Sequence, residues 1–368
     1  MGAFGFGIIL PILPFYALSL GAKPFELGML TGTFAFMSLI FGPIMGKAAD
    51  KFGRKKIIML GLIGEVCGYL LFGFSHSLLL AFIARAIEGI SVGAIFPSCI
   101  SLLSDYTTES NRGKTMGLVG MTFSLGFIIG PAFGGFASSI SVQVAFLLAA
   151  VLSFLNFFSV FIQVKEPKEK PESKGLAMKE ISLLEHLSSP LLFLFLASFM
   201  IPFMIGGLEA TLALYTSEKL GFGAHQLGAV FTYIGVLIMV MQFLSGNLIN
   251  KFGELRLINI GLILSGTGFF FLVFTNTWLT LLFPLAIFVM GNSLVFPSVS
   301  SALTKKVTGK RGVVLGLENS FRSGGQMIGP LLAGFLYGFS HNYAFIGLAA
   351  VIWGYAVLFS IVERKGVI

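Results

Sequence analysis

Apolar residues fill most of the chain in runs of about 20 residues, and short polar turns separate one run from the next. A run of this length can cross the hydrocarbon core of a bilayer as an α-helix. The pattern therefore predicts an all-α polytopic membrane protein with twelve transmembrane helices. The predicted spans cover approximately residues 1–20, 26–47, 57–75, 78–103, 114–138, 142–163, 190–216, 226–249, 256–275, 278–302, 313–337 and 342–362.

One connection between the spans is long and charged. It contains the sequence KEPKEKPESKG, from Lys165 to Gly175, and its Pro, Glu and Lys content is typical of a hydrated, flexible linker. The chain is therefore predicted to divide into an N-terminal six-helix bundle at 1–163, a cytoplasmic linker at 164–189 and a C-terminal six-helix bundle at 190–368.

The first predicted span begins abruptly, because Met1 opens directly into GAFGFGIILPILPFYA with no basic residue before it. A span of about 20 residues that contains Pro11 and Pro14 is barely long enough to cross a bilayer as a helix. We expect the natural helix to begin about ten residues earlier. A signal peptide is a poorer explanation, since the start has neither a basic region nor a small-residue cleavage site.

Composition supports the membrane assignment. The 368 residues are 56% hydrophobic and only 11% charged, whereas about a quarter of the residues of a soluble domain are charged. The 41 Phe and 46 Gly residues fit helices packed in lipid, where Gly allows close approach of backbones. A soluble globular protein is therefore excluded.

The net charge of +8 by itself could indicate a nucleic-acid partner, but the positions of Lys and Arg in the sequence argue against one. Twenty of the 24 Lys and Arg residues lie in alternate loops, and this asymmetry predicts that those loops and both termini are cytoplasmic. The basic segments are 47–56, 112–114, 165–179, 251–256, 305–311 and 364–365. Because the bases are dispersed over six segments, we expect no nucleic-acid partner.

The sequence offers no candidate catalytic or metal site. Cys67 and Cys99 both lie inside apolar runs, and no histidine has a second ligand at metal spacing. A Ser–His or Cys–His arrangement is also missing. We therefore expect no metal, no cofactor and no enzymatic activity, and we disfavour an intramembrane enzyme or a membrane sensor.

The two halves of the chain repeat each other at an offset of 200 or 199 residues. The matching pairs include Leu27-Gly28 with Leu227-Gly228, Lys51-Phe52-Gly53 with Lys251-Phe252-Gly253, Phe96-Pro97-Ser98 with Phe296-Pro297-Ser298, and Gly130-Pro131 with Gly329-Pro330. Parallel repeats of this kind are one arrangement used by secondary transporters, whose substrate site lies where the repeats meet.

Three segments resemble motifs of one family. GKAADKFGRKK (46–56) resembles the signature between helices 2 and 3 of the major facilitator superfamily, and RAIEGISVG (85–93) resembles its fourth-helix motif. GFIIGPAFGG (126–135) resembles the fifth-helix motif of its drug:proton antiporters. The chain is identified as a member of the twelve-helix antiporter family that includes NorA- and Bmr-type multidrug exporters. The resemblance implies two pseudo-symmetric six-helix bundles around a central cavity.

The first of these motifs is a candidate cytoplasmic gate. We expect Gly46 to allow close helix packing, Gly53 to form a tight turn, and Asp50 to cap a helix or to pair with nearby arginines. The resemblance implies that the motif latches the two halves together, with an acid at the end of helix 4. The gate residues are Gly46, Asp50, Gly53, Arg54, Asp105 and Arg112. The alternative is a positively charged anchor with an incidental acid.

The second copy of this loop, GNLINKFGELR (246–256), has a different charge pattern. Asn250 replaces the acid and Glu254 replaces the first base. We therefore expect the first copy to be the working latch and the gate to be asymmetric.

The fifth-helix motif predicts a close helix contact, because its glycines recur at four-residue steps and its proline favours a bend. The resemblance implies an interface seal that limits leak, and the alternative is an ordinary packing face. The motif residues are Gly126, Gly130, Pro131, Gly134 and Gly135, with a weaker second copy at Gly325, Gly329, Pro330 and Gly334.

Charged residues inside predicted spans are functional candidates, because each costs about 2.5–3.5 kcal/mol on insertion scales. They are Glu65, Arg85, Glu88, Glu209, Glu318 and Arg322. The spacing allows Arg85 to pair with Glu88, and Glu318 with Arg322, so a purely structural role is an alternative for each pair. Glu65 is the weaker candidate, since the resemblance places the third helix outside the central cavity.

Glu209 is the only charged residue in MIPFMIGGLEATLALY, and Gly206 and Gly207 just before it could let the helix flex. We expect its carboxyl group to load and release protons and to bind cations. The family often has an acid in helix 10, where this chain has Asn292, which cannot titrate. A structural hydrogen-bonding role is the alternative for Glu209.

These observations predict a proton-coupled secondary transporter that exports amphipathic small molecules, with cations favoured, by alternating access. The alternative is a transporter of a sugar, a metabolite or a lipid with the same fold. We expect the partners to be substrate, protons and the lipid bilayer, and the protein to be a monomer in a bacterial cytoplasmic membrane.

Overall fold

The structure is a computed structural model that describes residues 2–107, 109–166, 191–306 and 311–365. The described residues form thirteen helices and no strand. The helices are α1 (Gly2–Ile9), α2 (Leu13–Ser19), α3 (Pro24–Phe52), α4 (Arg54–Phe74), α5 (Leu78–Tyr106), α6 (Glu109–Ile140), α7 (Val142–Gln163), α8 (Leu191–Leu220), α9 (Ala224–Phe252), α10 (Glu254–Leu272), α11 (Trp278–Lys306), α12 (Arg311–Tyr337) and α13 (His341–Arg364). Most of the predicted linker lies outside the described residues.

The first predicted span is divided between two helices, which is why twelve predicted spans correspond to thirteen helices in the described part of the chain. A turn at residues 10–12 separates α1 from α2. Pro11 removes a backbone donor at that turn, and Pro14 lies in the first turn of α2, a position that proline favours.

Nine of the described helices are long and apolar enough to cross a membrane by length and composition. They are α3, α4, α5, α7, α8, α9, α10, α11 and α13. The other predicted spans correspond to the divided pair α1 and α2, to α6 and to α12. In α6, the apolar stretch among residues whose side chains are described is Ser124–Ile140, and α12 carries both Glu318 and Arg322.

Helices α3 and α9 run further than the apolar pattern predicts, because each continues through a polar end to a glycine. Helix α3 extends to Phe52 and stops where Gly53 adopts a φ of 106°. Gly253 has a φ of 81° at the equivalent end of α9. Gly21 and Gly221, with φ values of 85° and 66°, precede α3 and α9. The repeat in the sequence is therefore a repeat in backbone conformation.

The chain forms two compact units. The first contains Met1–Ala22, Thr33–Lys179 and Gly223–Thr232, and the second contains Lys23–Gly32, Glu180–Phe222 and Tyr233–Ile368. Each unit thus includes a short segment from the opposite half of the sequence, at positions 200 residues apart. The bundle boundaries at residues 163 and 190 remain a prediction.

Each unit contains one tyrosine that joins two helices in the same way. The Tyr16 hydroxyl group of α2 donates to the carbonyl oxygen of Phe72 at 2.7 Å, near the end of α4. Tyr215, which is 199 positions later, lies in α8 and donates to the carbonyl oxygen of Leu272 at 2.8 Å. Both phenol rings are buried, so each bond satisfies a buried polar group. Sequence reasoning missed this pair, although the repeat offset relates the two tyrosines.

Candidate functional site

Arg54 is the centre of a charged cluster where α3 meets α4 in the first unit. Its guanidinium group forms an ion pair with Asp105 at the end of α5 and donates to the carbonyl oxygen of Ser101 at 2.8 Å. Asp50 lies 3.8 Å from the same guanidinium group, and its side chain is 48% exposed. The structure therefore brings three of the predicted gate residues together, with Asp105 rather than Asp50 as the more buried partner.

The glycines of this motif differ in their structural role. Gly53 ends α3 in a left-handed conformation, as the predicted turn requires. The close packing that we expected at Gly46 is not found among the described residues, because a Cβ atom added there would meet none of their atoms within 4 Å. The side chain of Arg112 lies outside the part of the chain that the structure describes.

The second copy of the loop also carries an ion pair, with the charges exchanged. Glu254 at the start of α10 pairs with Lys305 of α11 and accepts a hydrogen bond from the Ser301 hydroxyl group at 2.9 Å. These positions are 200 residues after Arg54, Asp105 and Ser101. An ion pair therefore forms in both copies, because the acid and the base have exchanged positions between the two helices. The second pair is more exposed, with 70% of the Lys305 side chain accessible.

Glu166, at the start of the predicted linker, caps α4. Its carboxylate oxygens accept hydrogen bonds from the backbone N–H groups of Arg54 at 2.6 Å and Lys55 at 2.9 Å. The Lys55 ammonium group also donates to the carbonyl oxygen of Phe161 at 2.7 Å. A carboxylate at a helix N-terminus satisfies unpaired donors and interacts favourably with the helix dipole. Sequence reasoning missed Glu166, because nothing in the local pattern relates it to a loop more than a hundred residues away.

The fifth-helix motif makes the close contact that its spacing predicted. A Cβ atom on Gly130 would lie 2.7 Å from the Cα atom of Gly7 in α1, and one on Gly134 would overlap the carbonyl oxygen of Ile8. On another face of α6, a Cβ atom on Gly135 would lie 3.3 Å from the Cα atom of Gly228 in α9. The glycines are therefore needed for space at two contacts within the first unit.

The remaining residues of this motif take part in the same packing. A Cβ atom on Gly7 would lie 2.6 Å from the carbonyl oxygen of Gly126 and 3.2 Å from the Cδ atom of Pro131. Both motif residues are buried.

The second copy of the motif repeats this packing in the second unit. Cβ atoms on Gly325 and Gly329 of α12 would overlap the carbonyl oxygens of Phe199 and Phe203 in α8. A Cβ atom on Gly334 would lie 3.3 Å from the Cα atom of Gly28 in α3. The two copies therefore have the same partners in repeat-equivalent helices.

Arg85 and Glu88 form an ion pair inside the first unit. The Arg85 Nη1 atom lies 2.7 Å from the Glu88 Oε2 atom, and both residues are buried, with relative exposures of 4% and 3%. The guanidinium group also stacks 4.5 Å from the ring centre of Phe34. The spacing in the sequence predicted that this pair could form, and the aromatic contact adds a favourable cation–π interaction.

Glu318 and Arg322 do not form an ion pair within 4.0 Å, although their spacing would allow one. The Glu318 carboxylate instead accepts a hydrogen bond from the Ser198 hydroxyl group at 3.3 Å. The Arg322 guanidinium group lies 4.5 Å from the ring centre of Phe296 in α11. Packing against neighbouring helices therefore separates two charges that lie close together in the sequence.

Glu209 lies in the middle of α8 and is partly exposed, whereas the residues on either side of it are buried. Gly206 and Gly207 have a packing role: a Cβ atom on Gly206 would lie 2.7 Å from the Pro330 ring, and one on Gly207 would lie 3.1 Å from Leu348. Both glycines are thus needed for close helix contact, and the flexibility that we expected of them stays a prediction. Asn292 is buried in α11 with 8% exposure.

A repeated helical unit with charged groups buried in its spans defines a polytopic membrane transporter. The model of the Major Facilitator Superfamily matches residues 1–224 and 194–367, so that each half of the chain is covered. The chain belongs to the Major Facilitator Superfamily.

Its sequence is similar to those of bacterial resistance proteins over most of its length. It is 30% identical over 345 residues to multidrug resistance protein 1 of Bacillus subtilis (strain 168), covering 93% of this chain and 88% of that protein. It is 32% identical over 353 residues to the class B tetracycline resistance protein of Escherichia coli, covering 92% and 86%. It is 29% identical over 336 residues to the quinolone resistance protein NorA of Staphylococcus aureus (strain COL), covering 90% and 86%.

Solved transporter structures share the fold. A bacterial homolog of the human lysosomal transporter Spinster, in an inward-facing and occupied conformation, matches with a TM-score of 0.82 at 16% identity, covering 99% of this chain and 94% of that chain. The human organic anion transporter MFSD10 matches with a TM-score of 0.72 at 21% identity, covering 97% and 96%.

Proposed function

We propose that the protein is a proton-driven exporter of amphipathic small molecules, with cations favoured, and that it works by alternating access in the bacterial cytoplasmic membrane. The observation that carries this proposal is its similarity to multidrug, tetracycline and quinolone resistance proteins over at least 90% of the chain. We further propose that both termini are cytoplasmic and that one chain is sufficient for transport. The distribution of Lys and Arg supports this orientation.

Glu209 is the residue that we propose exchanges protons for cationic substrate in the second unit. Its carboxyl group stands in an apolar helix, where a negative charge is costly and a proton or a bound cation reduces the cost. The close contact between Gly206 and Pro330 fixes the adjacent turn of α8 against α12. Glu318, Arg322 and Asn292 lie in the same unit and are proposed to contribute polar groups to proton or substrate binding.

In the first unit, we propose that Arg85 and Glu88 contribute to proton or substrate binding and that the cluster around Arg54 stabilises one conformation of the transporter. Arg54 and Asp105 both belong to the first unit, so their ion pair joins the ends of α4 and α5 in the conformation that we propose the cluster stabilises. Breaking the pair would leave the largely inaccessible guanidinium group without its more buried charged partner, which is costly. The glycine contacts of α6 and α12 are proposed to act as seals against leak.

The proton gradient is a sufficient energy source for this activity. One charge that moves across a potential of about 100 mV releases about 2.3 kcal/mol, which supports an approximately fifty-fold concentration gradient of substrate. Coupling therefore requires a carboxyl group that is protonated on one side of the membrane and deprotonated on the other.

The test is the export of a fluorescent lipophilic cation by the full chain and by Glu209→Gln, in vesicles energised with a proton gradient. We expect Glu209→Gln to reduce proton-driven accumulation by more than about tenfold, because glutamine cannot carry the coupled proton. The matched control is Glu218→Gln, an exposed acid of the same helix that accepts a hydrogen bond from Tyr337 at 2.8 Å. Glutamine retains that acceptor, so we expect near-normal export.

Two outcomes would contradict the proposal. Uncoupler-resistant export that is unchanged in Glu209→Gln would remove Glu209 from the mechanism. No transport of any lipophilic cation by a correctly folded protein would favour a transporter of a sugar, a metabolite or a lipid.

A further inference from the structure

The first unit contains a buried acid that has no part in the proposed mechanism. Glu65 lies in α4 with 4% exposure, and its carboxylate accepts a hydrogen bond from the Ser153 hydroxyl group of α7 at 3.0 Å. The Arg85–Glu88 ion pair lies in the neighbouring helix α5. Glu65 and Glu88 lie near enough for their charges to interact.

A row of glycines brings the two acids together. A Cβ atom on Gly68, one turn after Glu65, would lie 3.0 Å from the Glu88 Cγ atom, and a Cβ atom on Gly64 would overlap the Ser91 hydroxyl group. The absence of side chains on this face of α4 lets α5 approach closely. Glu88 is therefore held beside the turn of α4 that carries Glu65.

The charges of this cluster do not balance if both acids are ionised. Arg85 supplies one positive charge, while Glu65 and Glu88 would supply two negative charges, and all three residues are nearly inaccessible. An unneutralised carboxylate in a membrane span is strongly disfavoured. The Arg85 guanidinium group bonds Glu88 at 2.7 Å, which favours the charged form of Glu88 over that of Glu65. The excess charge is removed when Glu65 holds a proton.

We propose that Glu65 is a second proton-carrying group, which holds a proton in the observed arrangement and releases it when Arg85 leaves Glu88. This inference rests on the proposed proton-coupled export and locates one coupled proton in the first unit. On release, the O–H bond of Glu65 breaks, the proton passes to water, and Arg85 neutralises the carboxylate that remains. Glu88 then takes up a proton from water in place of its lost ion pair, so the cluster releases one proton and binds another without gaining net charge.

The hydrogen-bonding capacity for such an exchange is present. The Nε atom of Arg85 and the Oε1 atom of Glu88 are both buried and have no hydrogen-bond partner among the described residues. An arginine has five N–H donors, so Arg85 can bond a second carboxylate. Two unsatisfied atoms in one buried ion pair are unusual and leave the observed pairing incompletely stabilised.

Neutral hydroxyl and thiol groups of described residues also lie near Glu65. Tyr69 lies one turn further along α4 and interacts with the charges of Glu65, Glu88 and Arg85. A Cβ atom on Gly5 of α1 would lie 3.6 Å from the Tyr69 hydroxyl oxygen and 3.8 Å from the Ser153 oxygen, so both hydroxyl groups face the same point. Cys99 of α5 also interacts with the charge of Glu65.

The second unit has no copy of this arrangement. The positions 200 residues after Glu65, Arg85 and Glu88 are Ser265, Leu285 and Phe288. The Ser265 hydroxyl group donates to the carbonyl oxygen of Gly261 within its own helix at 2.8 Å. The repeat alone therefore does not require an acid at position 65, which argues for a role specific to the first unit.

The experiment combines infrared spectroscopy with transport by the purified full chain in liposomes. At neutral pH, we expect the wild-type protein to show an absorption band of a protonated carboxylic acid that Glu65→Gln lacks. Ser153→Ala should keep the band but shift its frequency, because the acid loses a hydrogen-bond partner. Glu218→Gln, the exposed acid, should leave the band unchanged. If Glu65→Gln does not fold, Ser153→Ala still carries this test.

Transport then tests whether the proton is exchanged. We expect Glu65→Gln to reduce proton-driven accumulation of a fluorescent lipophilic cation by at least about tenfold. Movement of the cation down its own gradient should persist. Unchanged driven accumulation, or a spectrum with no band that depends on Glu65 or Ser153, would overturn the inference. If the wild-type protein shows no driven transport, the proposed function fails, while the spectrum still decides whether Glu65 holds a proton.

Discussion

Individual glycines of the helices differ in how closely neighbouring residues pack against them. Gly134 packs against the backbone of α1 with no space for a methyl group, whereas Gly46 and Gly354 face positions with no described atom within 4 Å. Glycine is favoured in membrane helices where backbones approach closely. The need for glycine is therefore decided by the neighbouring helix at each position.

Gly134→Ala is expected to destabilise the protein by about 1–3 kcal/mol, because the added methyl group forces α1 and α6 apart. The measurement is the thermal unfolding midpoint of the purified protein in detergent. The control is Gly354→Ala in α13, where a Cβ atom meets open space and helix propensity slightly favours alanine. Equal midpoints for the two variants would show that the α1–α6 contact adjusts without strain.

At the level of elements, repeat-equivalent helix ends of the two units carry related but unequal ion pairs. The Arg54 and Asp105 side chains are 14% and 13% exposed, while those of Lys305 and Glu254 are 70% and 17% exposed. Exposed pairs contribute little, whereas removing one partner of a buried pair leaves a costly unpaired charge. The two copies thus differ in the burial of their ion pairs, and the asymmetric gate stays a prediction.

Asp105→Asn is expected to lower stability by about 1–3 kcal/mol, because Arg54 loses its more buried charged partner. Lys305→Gln, the matched change in the second copy, should cost about 1 kcal/mol or less. Denaturation midpoints of the two variants, together with their rates of cation export, provide the comparison. If Lys305→Gln lowers stability as much as Asp105→Asn, the two ion pairs contribute equally to stability and the predicted difference is wrong.

At the level of the whole molecule, each compact unit depends on a segment from the opposite half of the sequence. Gly228 of α9 packs against Pro131 and Gly135 in the first unit, and Gly28 of α3 packs against Pro330 in the second. A half of the chain expressed alone would lack one segment of its unit. The close glycine contacts of α6 and α12 would then be incomplete.

Fragments 1–175 and 176–368 are therefore expected to copurify and to export cations when expressed together, and to be inactive when expressed separately. Gly28→Leu combined with Gly228→Leu should abolish copurification, because leucine cannot fit where the backbones touch. Gly354→Leu, which meets open space, is the control. Active fragments without their counterparts would show that the exchanged segments are dispensable.

The sequence by itself determined the membrane class, the number and order of the spans, and the repeat. These features follow from the length of apolar runs and from residue spacing, which are properties of the chain at short range. The same local spacing predicted the Arg85–Glu88 pair, the turn at Gly53 and the glycine face of α6. It also allowed a Glu318–Arg322 ion pair, which the structure does not contain.

Only the tertiary structure decided which distant groups meet. Glu166 caps α4 across more than a hundred residues, Lys305 pairs with Glu254, and Ser153 bonds Glu65. Each of these contacts joins segments far apart in the sequence, so it depends on how the helices pack and cannot be derived from spacing within one helix. Packing likewise places Arg322 against the ring of Phe296. It also places Glu65, the weaker candidate from the sequence, in a buried cluster with other charged residues.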